Sequence, residues 1–122
     1  MREFVLGAVQ LRFANLVWEH EPISSGALVK LCEAQFQWKK PTTYTVLRKL
    51  CEKGLLQNLD GVVTSCVSRD DFYADRSREL LDDAYQGSLP AFVAAFLSRE
   101  RLSSNEVEEI QAMIDSYRSE AE

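Results

Sequence analysis

The 122 residues hold one histidine, His20, and three cysteines, Cys32, Cys51 and Cys66, which stand far apart with no CxxC pair. A multi-histidine metal site and a cysteine zinc framework are therefore excluded, and a histidine-based catalytic triad would rest on a single residue. The thiols are expected to be buried, reduced and structurally inert. His20 falls where a first helix should end, a place where a partly cationic side chain suits the helix dipole. No apolar run approaches the roughly 18 to 20 residues of a membrane span, and Met1-Arg2-Glu3-Phe4 opens no signal peptide. The expectation is a cytoplasmic chain without direct membrane insertion. A Gly-rich phosphate loop is lacking too, and Asp70-Asp71 and Asp82-Asp83 read as helix-start and solvated-face residues. No catalytic residue, metal or cofactor is expected.

What is there is a folded-protein composition, 46% hydrophobic and 27% charged. The length suits one ordinary domain, or a small domain with an oligomerisation element. The net charge of -5 is unevenly placed. Residues 1–67 carry eight Lys or Arg against six Asp or Glu, whereas residues 68–122 carry six against thirteen. A basic first half and an acidic second half suggest divided labour.

The most informative segment runs from Trp38 to Leu56. Pro41 suits a first helical position, with Lys40 at the cap, and Gly54 suits the residue just past the end. At about 100° per residue, Thr43, Val46, Leu47, Leu50 and Cys51 gather on one side. Thr42, Thr45, Arg48, Lys49, Glu52 and Lys53 gather on the other. From Lys39 to Lys53 there are five bases and one acid, which makes the local field positive. Such a helix can be held by a core and still touch DNA. Lys39, Lys40, Arg48, Lys49 and Lys53 would divide between phosphate anchoring and base contact. Arg48 is the best candidate for a bidentate guanine contact. Thr42, Thr43, Tyr44 and Thr45 lie near the helix N-terminus, the end that usually meets base edges. Thr43 and Tyr44 fit a position at the edge of the core equally well.

Around this helix, Leu6, Val9, Phe13, Leu16 and Val17 predict a first helix ending near His20 to Pro22. Pro22-Ile23 can form a small strand. Ser24 or Ser25 can cap a second helix that places Leu28, Leu31, Cys32 and Gln35 on one face. Asp60-Gly61 between Leu55–Leu59 and Val62–Val67 is a hairpin signal. Helix, short strand, helix, helix and hairpin make a winged helix-turn-helix, so the fold class is mainly α with a small β-hairpin wing. Domain limits of 1–67 and 68–122 follow, with the likeliest hinge at Val67-Ser68-Arg69.

Beyond Ser68 the pattern is wholly helical. Ser68-Arg69-Asp70-Asp71 resembles a capping box, Gly87 is a stop, and Ser103-Ser104-Asn105-Glu106 is a better capping box. Three short amphipathic helices bury little alone, so a second copy is expected to cover them. The candidate dimer interface comprises Leu81, Tyr85, Leu89, Phe92, Val93, Phe96, Leu97, Ile110, Met113, Ile114 and Tyr117. The other solution is packing on the winged helix of the same chain.

Leu16-Val17-Trp18, Trp38, Thr42 to Leu50, Lys53-Gly54-Leu55-Leu56, Gly87-Ser88-Leu89 and Leu102-Ser103 with Glu106, Glu108, Glu109 and Ile110 recur in an order and spacing that resembles the penicillinase repressor family. This is the BlaI, MecI and CopY group of bacterial transcriptional regulators. The resemblance implies a winged-helix DNA-binding domain followed by a three-helix dimerisation domain, acting as a dimeric repressor on inverted-repeat operators of double-stranded DNA. It further implies relief by cleavage in the dimerisation helix, around Ala95-Phe96, downstream of a membrane metalloprotease sensor. The chain departs from the family in four places. Gly7-Ala8-Val9-Gln10-Leu11 replaces the usual first-helix cap. Trp38-Lys39-Lys40-Pro41-Thr42 stands where members often have Trp-Ser-Pro-Lys-Thr. Asp60-Gly61-Val62-Val63-Thr64-Ser65 gives a wing without a base. The C-terminus lacks the cysteine cluster of copper-sensing members. The alternative function on the same fold is a protein-interaction module, whose cationic helix would meet an acidic partner.

Overall fold

The computed structural model describes residues 6–121, so the Met1-Arg2-Glu3-Phe4 opening lies outside them. Among the described residues there are six helices and three short strands: α1 (Ala8–His20), β1 (Ile23–Ser24), α2 (Ser25–Phe36), α3 (Lys40–Glu52), β2 (Leu56–Leu59), β3 (Val62–Ser65), α4 (Arg69–Tyr85), α5 (Leu89–Leu97) and α6 (Ser104–Ala121). The expected winged helix-turn-helix is the fold that forms. Two compact units divide between Ser77 and Arg78, within α4.

The first unit is built on the spacing of its apolar residues. Phe13, Leu16 and Val17 of α1, Leu28 and Cys32 of α2, and Leu47 and Leu50 of α3 turn inward, joined by Leu55, Leu56 and Val63 from the hairpin. Val9, placed by periodicity on the same stripe, is instead 53% exposed. It lies in the first turn of α1, whereas Leu6, just before the Gly7 cap, packs against the core. Phe13 stacks on Trp38 with ring centroids 6.0 Å apart. The chain two residues before α3 is thereby fixed to α1.

The helix ends follow local chemistry. Ser24 Oγ accepts from the Ala27 N–H at 3.1 Å and so caps α2. Gln37 closes α2 in a left-handed conformation, φ 57°. The α3 cap is one residue earlier than expected: Lys39 is the N-cap, without a side-chain cap bond, and Pro41 sits in the second helical position. Proline tolerates that place as well, because the amide it lacks would have had no partner in the helix.

The sheet has the order β1-β3-β2 and is antiparallel throughout. Asp60 and Gly61 both have positive φ, 54° and 82°, the signature of a type I′ hairpin turn, which an Asp-Gly pair adopts readily. Leu56 pairs with Ser65 and Leu59 with Val62. Cys66 follows directly. Its N–H donates to Leu55 O at 2.8 Å, but alternation turns its side chain away from the Ser65 face. Cys66 is exposed, Cys51 half-buried and Cys32 fully buried, so the expected burial holds for Cys32, partly for Cys51 and not for Cys66.

α4 opens on the first core. Ser68 Oγ accepts from the Asp71 N–H at 3.1 Å, Phe72 is 2% exposed and its ring lies 5.4 Å from that of Trp18. Trp18 Nε1 in turn donates to Val67 O at 3.0 Å. Val67 and Phe72, on either side of Ser68-Arg69, thus both touch Trp18.

The second unit consists of the rest of α4 with α5 and α6. Gln86 and Gly87, with φ of 53° and 80°, stop α4. Ser88 caps α5 by accepting from the Ala91 N–H. Ser103 opens α6 with a complete capping box: its Oγ accepts from the Glu106 N–H at 3.1 Å and its own N–H donates to Glu106 Oε1 at 3.0 Å. No residue of 78–120 is buried.

Candidate nucleic-acid interface

α3 presents two faces. Thr43, Leu47 and Leu50 are sealed in the core at 1%, 3% and 0% exposure, while Lys39, Lys40, Thr42, Thr45, Arg48, Lys49 and Lys53 are exposed. The amphipathic period alone produces this division, since positions three and four apart share a side. The exposed set carries five cations along one helix and its caps. Lys53 Nζ reaches Gln10 Oε1 at 3.2 Å, linking the end of α3 to the first turn of α1.

Of the nine residues expected to face DNA, Thr43 is turned away. Its hydroxyl is closed off from solvent and makes no hydrogen bond of ordinary geometry. The Cys32 thiol beside it is a weak partner. Burial pushes that thiol up, partly offset by the Thr43 hydroxyl. The Cys51 thiol is also raised, by burial first and then by the charges of Cys66 and Glu52. Both thiols therefore favour the neutral form.

Tyr44 stands between the two faces. It is half-buried, and its hydroxyl donates to Ser25 Oγ at 3.1 Å. Lys40 Nζ lies 5.9 Å from the centre of its ring. Ser25, the first residue of α2, also donates its N–H to Gly61 O in the wing turn at 2.8 Å. A continuous chain thus runs from α3 through α2 to the wing. At the other end of β3, Glu21 Oε1 accepts from the Ser65 N–H at 2.8 Å. Sequence reasoning saw Ser25 only as a candidate cap and passed over Glu21. Neither position carries a periodic signal, because each acts on a residue distant in sequence.

Between α3 and β2 lies an open groove of ≈330 Å³ lined by Tyr44, Leu47, Arg48, Cys51 and Asn58. Among the described residues no group of three or more potential metal ligands comes together, and no helix is long and apolar enough to cross a membrane.

The family model described as penicillinase repressor matches residues 6–116. The chain belongs to the penicillinase repressor family. It is 25% identical to the penicillinase repressor of Bacillus licheniformis over 114 residues, 90% of this chain and 89% of that one. It is 22% identical to the methicillin resistance regulatory protein MecI of Staphylococcus aureus over 118 residues, covering 93% and 96%. The MecI of Mammaliicoccus sciuri is 21% identical over the same length. These relatives carry the names of repressors and regulators, not of enzymes.

In this repressor-family chain the helices after Ser77 form a second surface. Leu89, Val93, Phe96 and Leu97 of α5 are 42–56% exposed, and Ile110, Met113, Ile114 and Tyr117 of α6 are 43–74% exposed. Leu81, Tyr85 and Phe92 are half-buried, with Tyr85 and Phe92 in edge-to-face contact at 5.4 Å. α5 and α6 enclose a groove of ≈300 Å³ whose walls include Phe92, Phe96 and Ile110. Ala95 and Phe96 lie in the later part of α5, where Ser98 and Glu100 N–H groups close the last turn on Ala94 O and Phe96 O.

Proposed function

We propose that this chain is a transcriptional repressor that binds inverted-repeat operator DNA as a homodimer, with α3 in the major groove. The reading is carried by one observation: the cations of α3 and its caps are exposed together with Thr42 and Thr45, on a helix whose opposite side is anchored in a core. Lys39, Lys40, Lys49 and Lys53 anchor phosphates, and their affinity falls as salt rises. Thr42 and Thr45 stand toward base edges, and Arg48 takes a guanine, with about 1 to 3 kcal/mol of discrimination. The wing, whose turn carries only Asp60 as a charge, contributes less.

Residues 1–67 serve as the DNA-binding domain and residues 68–122 as the dimerisation domain, with the first turns of α4 held on the winged-helix core. Support for self-association comes from the second unit, which has large apolar side chains and no buried residue among 78–120. A second copy covers such a face most simply, because an isologous contact pairs the same stripe with itself. Dimerisation supplies the second recognition helix, so half-sites lie about 10 bp apart or a small multiple. Cutting at Ala95-Phe96, by a protease governed by a membrane sensor, would part Leu89, Phe92 and Val93 from Phe96 and Leu97 and dissolve the dimer. A fragment ending at Ala95 that still dimerised and held operator would reject this route.

The test is selection from random duplexes. The expected result is a palindromic site, lost when Arg48 and Lys49 are both changed to Ala while the dimer persists. Binding to an acidic protein without duplex preference would favour the interaction module instead.

A further inference from the structure

From the bonds joining α3 to the wing we infer that Tyr44 is a positioning residue: through Ser25 it sets the wing's place relative to the recognition helix, and it does not read a base. The inference rests on the repressor reading above and specifies how the two DNA-approaching elements are held together. Tyr44 spends its hydroxyl on Ser25 Oγ. Ser25 spends its N–H on Gly61 O, in the turn of the wing. The contact is short-range at both ends, and the Ser25 backbone between them is the first residue of a helix whose cap is also satisfied. A displacement of α3 is therefore carried to the hairpin tip through a helix end with little freedom to absorb it.

The same geometry explains a conflict in the sequence. A tyrosine near the start of a recognition helix suggests base contact, but the phenol O–H here is already donated to Ser25 Oγ. Lys40 Nζ also lies 5.9 Å from the centre of the ring, within reach of a cation–π contact. Because the wing turn carries an acid, Asp60, its distance from the phosphates matters to affinity even without a direct contact.

Tyr44→Phe removes the hydroxyl and keeps the ring, and Ser25→Ala removes only the acceptor. Each is expected to weaken operator binding by roughly 3- to 10-fold, the effect of one hydrogen bond, and to lower the ratio of operator to random-duplex affinity. The salt slope stays unchanged, since no phosphate contact is lost. The double variant is expected to lose no more than either single one. A further loss from Tyr44→Phe in the Ser25→Ala background would mean that the phenol touches DNA, and overturns the inference. A lower melting temperature with unchanged selectivity would mean a purely structural bond, and overturns it as well. Hydrogen exchange at the Ser25 amide gives a readout without DNA. Faster exchange in Tyr44→Phe supports the coupling even if the wild-type chain selects no duplex, an outcome that would defeat the repressor reading alone; unchanged exchange overturns the coupling.

Discussion

The Glu21 carboxylate holds Ser65 by two groups at once: Oε1 accepts the backbone N–H at 2.8 Å, and the hydroxyl lies 2.9 Å from each carboxylate oxygen. Glu21 closes α1 and Ser65 ends β3, so the pair fastens the base of the wing to the first helix. Glu21→Ala leaves a part-buried N–H without its acceptor and is expected to cost about 1 to 3 kcal/mol. Glu21→Gln, which keeps one acceptor oxygen, costs less. Urea unfolding monitored by circular dichroism measures both, and equal stability of all three proteins would refute the role.

Phe72 predicts where the winged-helix core stops. A fragment ending at Val67 lacks this buried ring, whereas one ending at Ser77 keeps it. The longer fragment is expected to melt well above the shorter one. In the full chain, Phe72→Ala should cost about 3 to 5 kcal/mol through the cavity left beside Trp18. If both fragments melt together, α4 contributes nothing to that core.

The helical periods of the first unit were legible because each stripe is read by one core. Asp60-Gly61 announced its turn, and Ser103 with Glu106 its capping box, since both devices are local. The inward turn of Thr43 was only half legible, for a threonine at that phase serves a core edge or a base edge equally well. The start of α3 slipped by one residue because Lys39 and Lys40 are equally poor caps. Tyr44, Ser25 and Glu21 were illegible in their present roles. Each works across a gap in the chain that no spacing rule spans, and only the closed fold brings Gly61 and Ser65 to them.

The three thiols should differ in the order of their burial. Iodoacetamide is expected to modify Cys66 first, Cys51 more slowly and Cys32 only on unfolding, as peptide mass spectrometry would read. The raised thiols of Cys32 and Cys51 also fix a pH dependence. Below the unfolded thiol value of about 8.5, both states keep the proton and the native fold loses nothing. As pH rises past it, the unfolded chain releases protons that the native one retains, so stability falls. Stability should therefore decline above about pH 8.5, and less steeply in Cys32→Ala. A flat profile from pH 7 to 10 would contradict the burial of these groups.

The apolar surface of α5 and α6 makes the strongest demand on solution behaviour. Phe96 and Ile110 are 48% and 43% exposed and both line the groove between the two helices. In an isolated chain α5, α6 and the part of α4 after Ser77 would have to stay folded without one buried residue among 78–120, which helix propensity alone does not support. The wild-type chain is thus expected to sediment as a dimer. Ile110→Asp places a charge where the partner's apolar stripe would lie, and burying it unpaired is prohibitive. That variant should sediment as a monomer, lose helicity in the far ultraviolet and keep the melting transition of the winged-helix core. Its operator affinity should fall by roughly 100-fold or more, because two linked half-site contacts become one. A variant that stays dimeric would place the interface elsewhere. One that becomes monomeric with undiminished helicity would show that the second unit folds without a partner.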